Sequence, residues 1–340
     1  MALIRRSLPH IVGAAHAVDY GDRVKIALMD SGIGLLPAAR AVRRLRPDAD
    51  LVLSSDPDGM PWGPRTPADL TGRALVVARA AAEHRPDALI VACNTASVHA
   101  LPALRAELEP DLPVIGTVPA IKPAAAGGGP FAIWATPGTT GSPYQRDLIR
   151  RFASSVAVTE VPCPGLADAV QHVDEEAIDR AVATAAALTP RDVRAVVLGC
   201  THYELVAERV RAAVQRPGGP TVVLYGSAGA VAAQAMRRAG DRSAPGAAGV
   251  PGTPVAPVAP AVPGVAAVPR VPDGAPDGLP GVPGTAGLLD DPDVPEAPAG
   301  ILGLPGGRLT VLLSGRESTL PEEALAYVEG RQLAAVSRVR

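Results

Sequence analysis

Cysteine, aromatic residues and lysine are all scarce in this chain of 340 residues. The three cysteines are an odd number and too few for a disulfide framework, so we expect them to remain reduced thiols. Aromatic residues make up 3% of the chain, and no segment combines them with clustered basic residues. Because 32 basic and 34 acidic residues also nearly balance, we expect no nucleic-acid partner.

Long apolar runs are also missing from the start of the chain. Arg5, Arg6, His10, His16 and Asp19 interrupt the first 21 residues before any run reaches the length of a signal peptide or a membrane-spanning helix. We therefore expect a cytoplasmic protein with no membrane partner.

From Lys25 onward, short apolar segments alternate with amphipathic helices. Strands are predicted at residues 25–29, 50–54, 88–92, 113–117, 131–135, 156–160, 194–199 and 221–225. Strands that read as continuous apolar runs are buried on both faces, which is typical of parallel sheets in α/β proteins. The chain is long enough for two such domains, each with its own core.

Proline, glycine, alanine and valine dominate residues 241–307. Prolines at this density remove backbone donors, so we predict a disordered insertion there. Folded structure is expected to resume with a strand at 308–313 and a helix at 321–330. The predicted organisation is an N-terminal extension (1–23), a first α/β domain (24–118, 221–240 and 308–335) and a second α/β domain (119–220).

The two predicted domains repeat one pattern. A helix, a turn and a strand lead to Cys93 over residues 68–92, and the same succession leads to Cys200 over residues 175–199. Each cysteine stands where a strand ends and a helix begins. A duplication of this kind predicts two similar halves that face each other.

The positions of Cys93 and Cys200 suit acid–base chemistry. Ligands bind outside the carboxyl ends of parallel strands, and the N–H groups of the following helix favour a thiolate. Stereoinversion needs one group that removes a proton and a second that delivers a proton to the opposite face. A lone cysteine is more often a small buried hydrophobe, which is our interpretation of Cys163. The matched contexts of Cys93 and Cys200 favour chemistry.

Polar residues follow both cysteines directly. Asn94, Thr95 and Thr201 offer donors for a substrate carboxylate at helix N-termini. His202 is expected to tune the Cys200 thiol or to protonate a neighbouring group. A histidine outside such a motif would more often be structural.

Polar residues also end two other predicted strands. Asp30, followed by Ser31, is expected to receive an ammonium group or to assist a thiol, or else only to cap a helix. Thr136, Thr139 and Thr140 are expected to bind a carboxylate or only to form a turn. The residues alone leave both pairs of alternatives open.

The segments around the cysteines read Val91-Ala92-Cys93-Asn94-Thr95-Ala96-Ser97 and Leu198-Gly199-Cys200-Thr201-His202-Tyr203. Together they resemble the two cysteine motifs of bacterial glutamate racemases, within the aspartate/glutamate racemase superfamily. The segment 29–34 resembles the first motif of this family, and Asp56 with Pro61-Trp62-Gly63 resembles another. The resemblance covers about residues 24–238 and 308–330.

This resemblance implies two flavodoxin-like parallel-sheet domains related by pseudo-two-fold symmetry, with the active site in the cleft between them. It implies racemisation of glutamate without a cofactor or metal, supplying D-glutamate for peptidoglycan, the cell wall and cell shape. Cys93 would act on the D-enantiomer and Cys200 on the L-enantiomer, with Asp30 and His202 as their respective assistants. A homodimer is expected only through the family. The residues implied around the substrate are Asp30, Ser31, Trp62, Gly63, Asn94, Thr95, Thr136, Thr139 and Thr201.

Four positions depart from the family pattern. Leu35 stands where a second glycine is usual, and Trp62 replaces a tyrosine. Gln171 aligns with a family glutamate, and a neutral amide cannot act as an acid or base. Glu204 stands where proline or a small apolar residue is frequent. These differences bear on rate and substrate preference more than on reaction type.

Other cysteine and cofactor chemistries fit the residues less well. A pyridoxal phosphate enzyme needs a Schiff-base lysine, and the only lysines, Lys25 and Lys122, lie in no recognisable cofactor context. A zinc site would need paired Cys-x-x-Cys spacing, which the chain lacks. A Cys-His hydrolase built on Cys200 leaves the matched Cys93 unexplained.

Two functional alternatives remain beside glutamate racemisation. The substrate is another acidic amino acid, such as aspartate, or the chain is a racemase-like scaffold that has lost catalysis and acts through a protein partner. In the second case the proline-rich residues 241–307 would be the docking element, because extended proline-rich segments bind aromatic grooves.

Overall fold

The computed structural model describes residues 23–219, 221–243 and 306–337. In these residues the strands are β1 (Lys25–Asp30), β2 (Asp50–Ser55), β3 (Ala88–Val91), β4 (Val114–Gly116), β5 (Phe131–Ala135), β6 (Val158–Pro162), β7 (Ala195–Leu198), β8 (Val223–Tyr225), β9 (Leu309–Leu313) and β10 (Arg316–Ser318). Every strand that the sequence predicts is present, and β6 is displaced by two residues toward the C-terminus.

Helices connect these strands. They are α1 (Leu36–Leu45), α2 (Pro67–Glu83), α3 (Asn94–His99), α4 (Leu101–Leu108), α5 (Ile121–Ala126), α6 (Pro143–Phe152), α7 (Leu166–Gln171), α8 (Glu175–Leu188), α9 (Ala207–Val214), α10 (Ala228–Ser243), α11 (Glu322–Ala326) and α12 (Val328–Ser337). Short 3₁₀ helices lie at Ile33–Leu35, Pro57–Gly59 and Thr201–Val206. Local signals explain their starts: Pro67 opens α2 behind the Thr66 cap, and Asp174 caps α8.

The strands form two sheets with matching topology. The first sheet has the order β10-β9-β2-β1-β3-β4, and the second has the order β6-β5-β7-β8. All neighbours pair in parallel except β9 and β10. The order β2-β1-β3-β4 is repeated as β6-β5-β7-β8. The prediction of an α/β protein with two related parallel sheets is therefore confirmed.

Strand β1 shows why these sheets are buried on both faces. Its side chains alternate, so Ile26 and Leu28 pack into one apolar cluster while Ala27 and Met29 pack into another. All four are fully buried. A strand that is apolar at every position needs helices on both sides of its sheet, which the intervening helices provide.

The predicted domain boundary at residue 221 is wrong for one strand. Residues 221–240 were expected in the first domain, but β8 pairs in parallel with β7 of the second sheet. Helix α10 then returns to the first half, where it packs against α1 and β3. The chain therefore returns to the first half after β8 and not before it. This depends on which strand β8 pairs with, and a sequence pattern does not reveal strand pairing.

The chain around the predicted insertion also differs from expectation. Residues 241–243 form the end of α10 instead of a disordered start, because the helix begun at Ala228 continues to Ser243. Residues 244–305 of the predicted insertion and residues 1–22 of the N-terminal extension lie outside the described residues.

The single helix predicted at 321–330 is two helices, α11 and α12. Tyr327 separates them with an extended backbone, and its hydroxyl donates a hydrogen bond to the Val170 carbonyl, 2.6 Å away in the second half. Gly330 lets α12 approach α11 closely, since a Cβ atom there would lie 2.0 Å from the Ala324 carbonyl oxygen. A tertiary contact thus overrides a continuous helical pattern.

Within the residues that the structure describes, the longest apolar helices still fall short of what a bilayer crossing requires.

Replacing Tyr327 with Phe is expected to lower the free energy of unfolding by about 0.5–1.5 kcal/mol, the usual contribution of one hydrogen bond. Urea unfolding followed by circular dichroism measures this change. Tyr225→Phe is the matched control, because the Tyr225 hydroxyl has no hydrogen bond within the described residues. Equal stability of the two variants would show that the bond to Val170 contributes nothing.

Candidate active site

The carboxyl ends of the central strands carry the polar residues that the sequence singles out. Asp30 ends β1, and Cys93 follows β3, which pairs directly with β1. In the second sheet Thr136 follows β5, and Cys200 follows β7, its paired neighbour. The repeated topology therefore places the two cysteines at equivalent strand ends, where α/β proteins bind ligands.

Asp30 is the most deeply buried charged group of this site. Its side chain is fully buried, and neither carboxylate oxygen accepts a hydrogen bond of ordinary geometry from the described residues. Burial raises the pKa of Asp30, while His202, the nearby Cys93 thiol and the backbone N–H groups of Ser31 and Gly32 act to lower it. Two free acceptor oxygens in a buried position favour the binding of a donor such as an ammonium group.

Gly34 marks the point where side chains of both halves converge. A Cβ atom at this position would lie 2.6 Å from Asp30 Oδ2, 2.6 Å from His202 Nδ1 and 2.6 Å from Thr201 Oγ1. Only a residue without a side chain leaves room for all three groups. The structure thus brings together three of the predicted site residues, one from the first half and two from the second.

The two cysteines occupy equivalent local positions. Cys93 precedes the first residue of α3, and Cys200 precedes the 3₁₀ helix Thr201–Val206, both with extended backbones. Cys93 is buried and Cys200 is half-buried. Cys93 lies near enough to both Asp30 and Cys200 for their negative charges to disfavour its thiolate. The two thiols and Asp30 therefore belong to one site.

The expectation that helix N-termini would favour thiolates is wrong for this structure. Burial raises the pKa of Cys93 well above its usual value and raises the pKa of Cys200 to about 12, and Asp30 raises both further. Backbone N–H groups of Ala96, His202 and Tyr203 do lower these pKa values, as the helix argument requires, but desolvation outweighs them. Both raised pKa values favour the thiol over the thiolate at neutral pH.

His202 is buried beside the second cysteine. Burial lowers the pKa of His202, and the Asp30 charge acts to raise it. Its Nε2 atom lies 3.0 Å from Oε1 of Gln171, and the same oxygen accepts the backbone N–H of Ile33 at 2.9 Å. The sequence marks Gln171 only as a departure from the family pattern. Its contacts with both His202 and Ile33 were therefore not predicted.

Asn94 joins the two halves next to the cysteines. Its Nδ2 atom donates a hydrogen bond to the Gly199 carbonyl, 2.9 Å away and directly before Cys200. Its Oδ1 atom is buried and has no partner among the described residues. Thr95, the next residue, is half-buried. One end of the Asn94 amide is therefore committed to structure and the other is free for a ligand.

Trp62 lies in the interior rather than on an open wall. The side chain is 1% exposed, and its indole N–H donates to Asp56 Oδ2 at 3.0 Å. Asp56 also receives the Ser314 hydroxyl at 3.2 Å and forms an ion pair with Arg73. Gly63 is exposed. The contacts of Trp62 position its loop, and the expected substrate contact of its ring remains a prediction.

Thr136, Thr139 and Thr140 form a turn after β5. The Thr136 hydroxyl donates to Thr139 Oγ1 at 3.2 Å, and the Thr140 hydroxyl donates to the Thr136 carbonyl at 3.0 Å. None of these bonds reaches Cys93 or Cys200. Of the two sequence-based alternatives, the structure supports the turn, and carboxylate binding by these threonines stays a prediction.

Two polar residues outside the predicted set support the site. The Thr117 hydroxyl donates to the Val91 carbonyl at 2.7 Å, and the Thr117 N–H donates to Ser97 Oγ at 2.9 Å. These bonds tie the end of β4 to the segment that carries Cys93. A threonine at the end of a predicted strand was the only sequence signal for this role.

Glu204, which departs from the family pattern, and Cys163, the cysteine without a counterpart, both have structural roles. Glu204 Oε1 accepts both the backbone N–H and the hydroxyl of Ser227, at 2.8 and 2.9 Å, just before α10 begins. Cys163 is buried in the second half, where burial raises its pKa to about 12. Both observations agree with a structural assignment.

Among the described residues, no group of three or more His, Cys, Asp or Glu side chains is arranged to hold a metal ion.

Comparisons with known proteins agree with this geometry. A family model described as Asp/Glu/Hydantoin racemase matches residues 37–246. A glutamate racemase of Roseiflexus sp. is 37% identical over 207 residues, which cover 58% of this chain and 74% of the relative. A glutamate racemase of Pseudomonas entomophila is 36% identical over 222 residues, which cover 64% of this chain and 82% of the relative.

Solved structures show the same similarity. The crystal structure of Escherichia coli glutamate racemase in complex with L-glutamate and the activator UDP-MurNAc-ala has a TM-score of 0.58 at 30% sequence identity, covering 64% of this chain and 83% of that chain. The glutamate racemase isoform of Bacillus anthracis has a TM-score of 0.54 at 27% identity, covering 65% and 83%. The family match spans more than half of the chain. The repeated sheets also carry the two cysteines that the sequence motifs share with glutamate racemases. This chain therefore belongs to the Asp/Glu/Hydantoin racemase family.

Proposed function

We propose that this chain interconverts L-glutamate and D-glutamate by a two-base reaction that uses no cofactor, with Cys93 and Cys200 as the bases. The observation that carries the proposal is the pair of thiols at equivalent strand ends of repeated sheets, with the unpartnered Asp30 carboxylate beside them. Relatives at 36–37% identity that are named glutamate racemases support glutamate as the substrate.

The proposed reaction moves protons and needs no electron acceptor. The thiolate of one cysteine takes the α-proton of the substrate and becomes a thiol. The thiol of the other cysteine gives its proton to the opposite face of the carbanion and becomes a thiolate. The two cysteines end with exchanged protonation states, Cys93 acting on the D-enantiomer and Cys200 on the L-enantiomer.

Formation of the first thiolate has to overcome the raised thiol pKa values. The substrate ammonium group near Asp30 would offset the negative charge that disfavours both thiolates. Asp30 would assist Cys93, and His202 would assist Cys200. Ser31, Thr95, Thr139 and Thr201 would hold the substrate carboxylate groups. Asn94, whose free Oδ1 atom can only accept, and Thr136, whose hydroxyl donates to Thr139, would lie beside the substrate. Gly63 would line the entrance, and Trp62 would act through the position of its loop.

We expect isotope exchange at the α-carbon to identify the substrate. L-Glutamate, D-glutamate and L-aspartate are each incubated in deuterated water with enzyme dialysed free of metals and pyridoxal phosphate, and proton NMR follows loss of the α-proton. Exchange with inversion is expected for glutamate alone. Exchange of aspartate alone would move the assignment to another acidic amino acid, and no exchange at all would favour the non-catalytic scaffold.

Cys93→Ser and Cys200→Ser are each expected to lower kcat for inversion by about 10²–10⁴-fold, because a serine hydroxyl is too weak an acid to replace either base. Circular dichroism of the reaction mixture, started from either L-glutamate or D-glutamate, follows the change in optical activity and measures the rate in each direction. Cys163→Ser is the matched control, since that buried thiol donates to the Val161 carbonyl at 3.6 Å and is neither of the two proposed bases. A single cysteine variant with wild-type turnover would rule out two-base catalysis.

Gly34→Ala is expected to lower kcat by about 100-fold, because its Cβ would push apart Asp30, His202 and Thr201. Gly72→Ala is the control: no atom lies within 4 Å of its Cβ position in helix α2. That change should raise stability by about 0.5–1 kcal/mol through helix propensity and leave kcat unchanged. Steady-state kinetics and thermal unfolding of both variants test the pair. Full activity of Gly34→Ala would mean that the three side chains need not converge.

We further propose that the chain acts in the cytoplasm as a homodimer and supplies D-glutamate for peptidoglycan. The family resemblance supports each of these statements, and free thiols agree with a reducing compartment. Sedimentation equilibrium of the full chain should give twice the monomer mass of 34.5 kDa. A monomer mass at micromolar concentration that turns over at the full rate would contradict the dimer.

A further inference from the structure

The Gln171 side chain bridges the two halves at the second cysteine. Gln171 lies at the end of α7 in the second half, and its Oε1 atom accepts the backbone N–H of Ile33 from the first half at 2.9 Å. The same oxygen lies 3.0 Å from Nε2 of His202. Gln171 and His202 are both buried. One carbonyl oxygen therefore contacts a backbone donor and a ring nitrogen.

The Ile33 contact determines which way the Gln171 amide faces. A backbone N–H can only donate, so the Gln171 atom that it meets has to be the carbonyl oxygen and not the NH₂ group. That oxygen can only accept. His202 Nε2 must therefore carry a proton and donate it to Gln171.

Local backbone shape makes room for this arrangement. A Cβ atom at Gly32 would lie 2.0 Å from Gln171 Oε1 and 2.7 Å from the sulfur of Met60. A glycine at this position lets the Gln171 carbonyl reach across the cleft to the first loop. The position of the Gln171 oxygen is thus set by a close backbone approach and not by side-chain packing alone.

A proton on Nε2 leaves Nδ1 as the free nitrogen of a neutral imidazole. Nδ1 faces the same point as Asp30 Oδ2 and Thr201 Oγ1, each 2.6 Å from the Cβ position of Gly34. Nδ1 is therefore the ring nitrogen on the side of Asp30 and Thr201, and Nε2 is held by Gln171.

We propose that Gln171 is a positioning residue that holds His202 as the Nε2–H tautomer, so that Nδ1 exchanges protons in the site. The kinetic part of this inference rests on the proposed racemisation, whereas the tautomer itself does not. Where the family resemblance implies a glutamate, this chain uses a neutral amide that orients the ring without adding charge.

The charges around His202 agree with a neutral ring. Burial lowers the pKa of His202, and Asp30, from β1, is the group that raises it. The other titratable groups of the site are Cys93, from the first cysteine segment, and Cys200 and Tyr203, from the chain on either side of His202; all three are neutral with raised pKa values because of burial. Gln171, from α7, contributes no charge.

Nitrogen NMR of the ligand-free full chain tests the tautomer directly. Histidine ring nitrogens are labelled with ¹⁵N, and the His202 signals are assigned by their loss in His202→Asn. A protonated Nε2 with an unprotonated Nδ1 is expected at neutral pH. The Nδ1–H tautomer, or an imidazolium, would overturn the proposal whatever the activity of the enzyme.

Gln171→Met removes the acceptor and keeps the length of the side chain. We expect the His202 signals to shift toward a mixture of tautomers and kcat to fall about 100-fold, with a smaller change in KM. Gln234→Met is the matched control, because the Gln234 side chain is half-buried on α10, outside the site, and accepts a hydrogen bond from Arg237. An unchanged tautomer in folded Gln171→Met would refute the positioning role; if this variant does not fold, the wild-type spectrum still decides.

Gln171→Glu restores an acceptor and adds a negative charge. It should recover much of the kcat lost in Gln171→Met. A carboxylate beside the ring stabilises the imidazolium and raises the pKa of His202, so the acidic limb of the kcat profile should move to higher pH. An acidic limb at the same pH as in the wild type would mean that the His202 ring does not titrate in the reaction, which would contradict proton exchange at Nδ1. If the tautomer is as expected but no variant or wild type turns over glutamate, the proposed function fails and the positioning role stands.

Discussion

The buried Asp30 carboxylate is the constraint to which the rest of the site is fitted. Its oxygens accept no ordinary hydrogen bond from the described residues, so its charge acts on every neighbour through a poorly solvated region. Its charge raises the pKa of the Cys93 and Cys200 thiols and opposes the lowering of the His202 pKa by burial. Gly34 has to lack a side chain because Asp30 occupies that space. An entering cation would therefore change the protonation of the whole site at once.

The two halves are joined beside this carboxylate by neutral amides. The Asn94 amide binds the Gly199 carbonyl, and the Gln171 carbonyl binds the Ile33 amide, so each half places one side chain on the backbone of the other. Neither bond adds charge near Asp30. Orientation and electrostatics are thus separated: neutral amides join the halves, while the titratable groups are Asp30, His202 and the two thiols. Sheet duplication makes this reciprocal arrangement possible.

Much of this fold was predictable, because its strands are continuous apolar runs and its cysteines follow two of them. Burial on both faces made β1, β3, β5 and β7 visible without any contact information. The errors arose where a tertiary contact decided the outcome: β8 joined the second sheet by pairing with β7, and Tyr327 broke a helix to reach Val170. The prediction that the cysteines favour the thiolate was also wrong. A helix N-terminus can be read from the sequence, whereas the desolvation that raises the thiol pKa values cannot.

The departures from the family pattern bear on whether the chain is an enzyme or a scaffold. Glu204 binds Ser227 ahead of α10, and Leu35 is buried in the core, so both have structural partners. The Asp30 oxygens are buried and accept no hydrogen bond of ordinary geometry from the described residues, and a buried polar group without a hydrogen bond costs about 1–3 kcal/mol. A site that binds the ammonium group of an amino acid uses such a carboxylate, and this favours the catalytic interpretation.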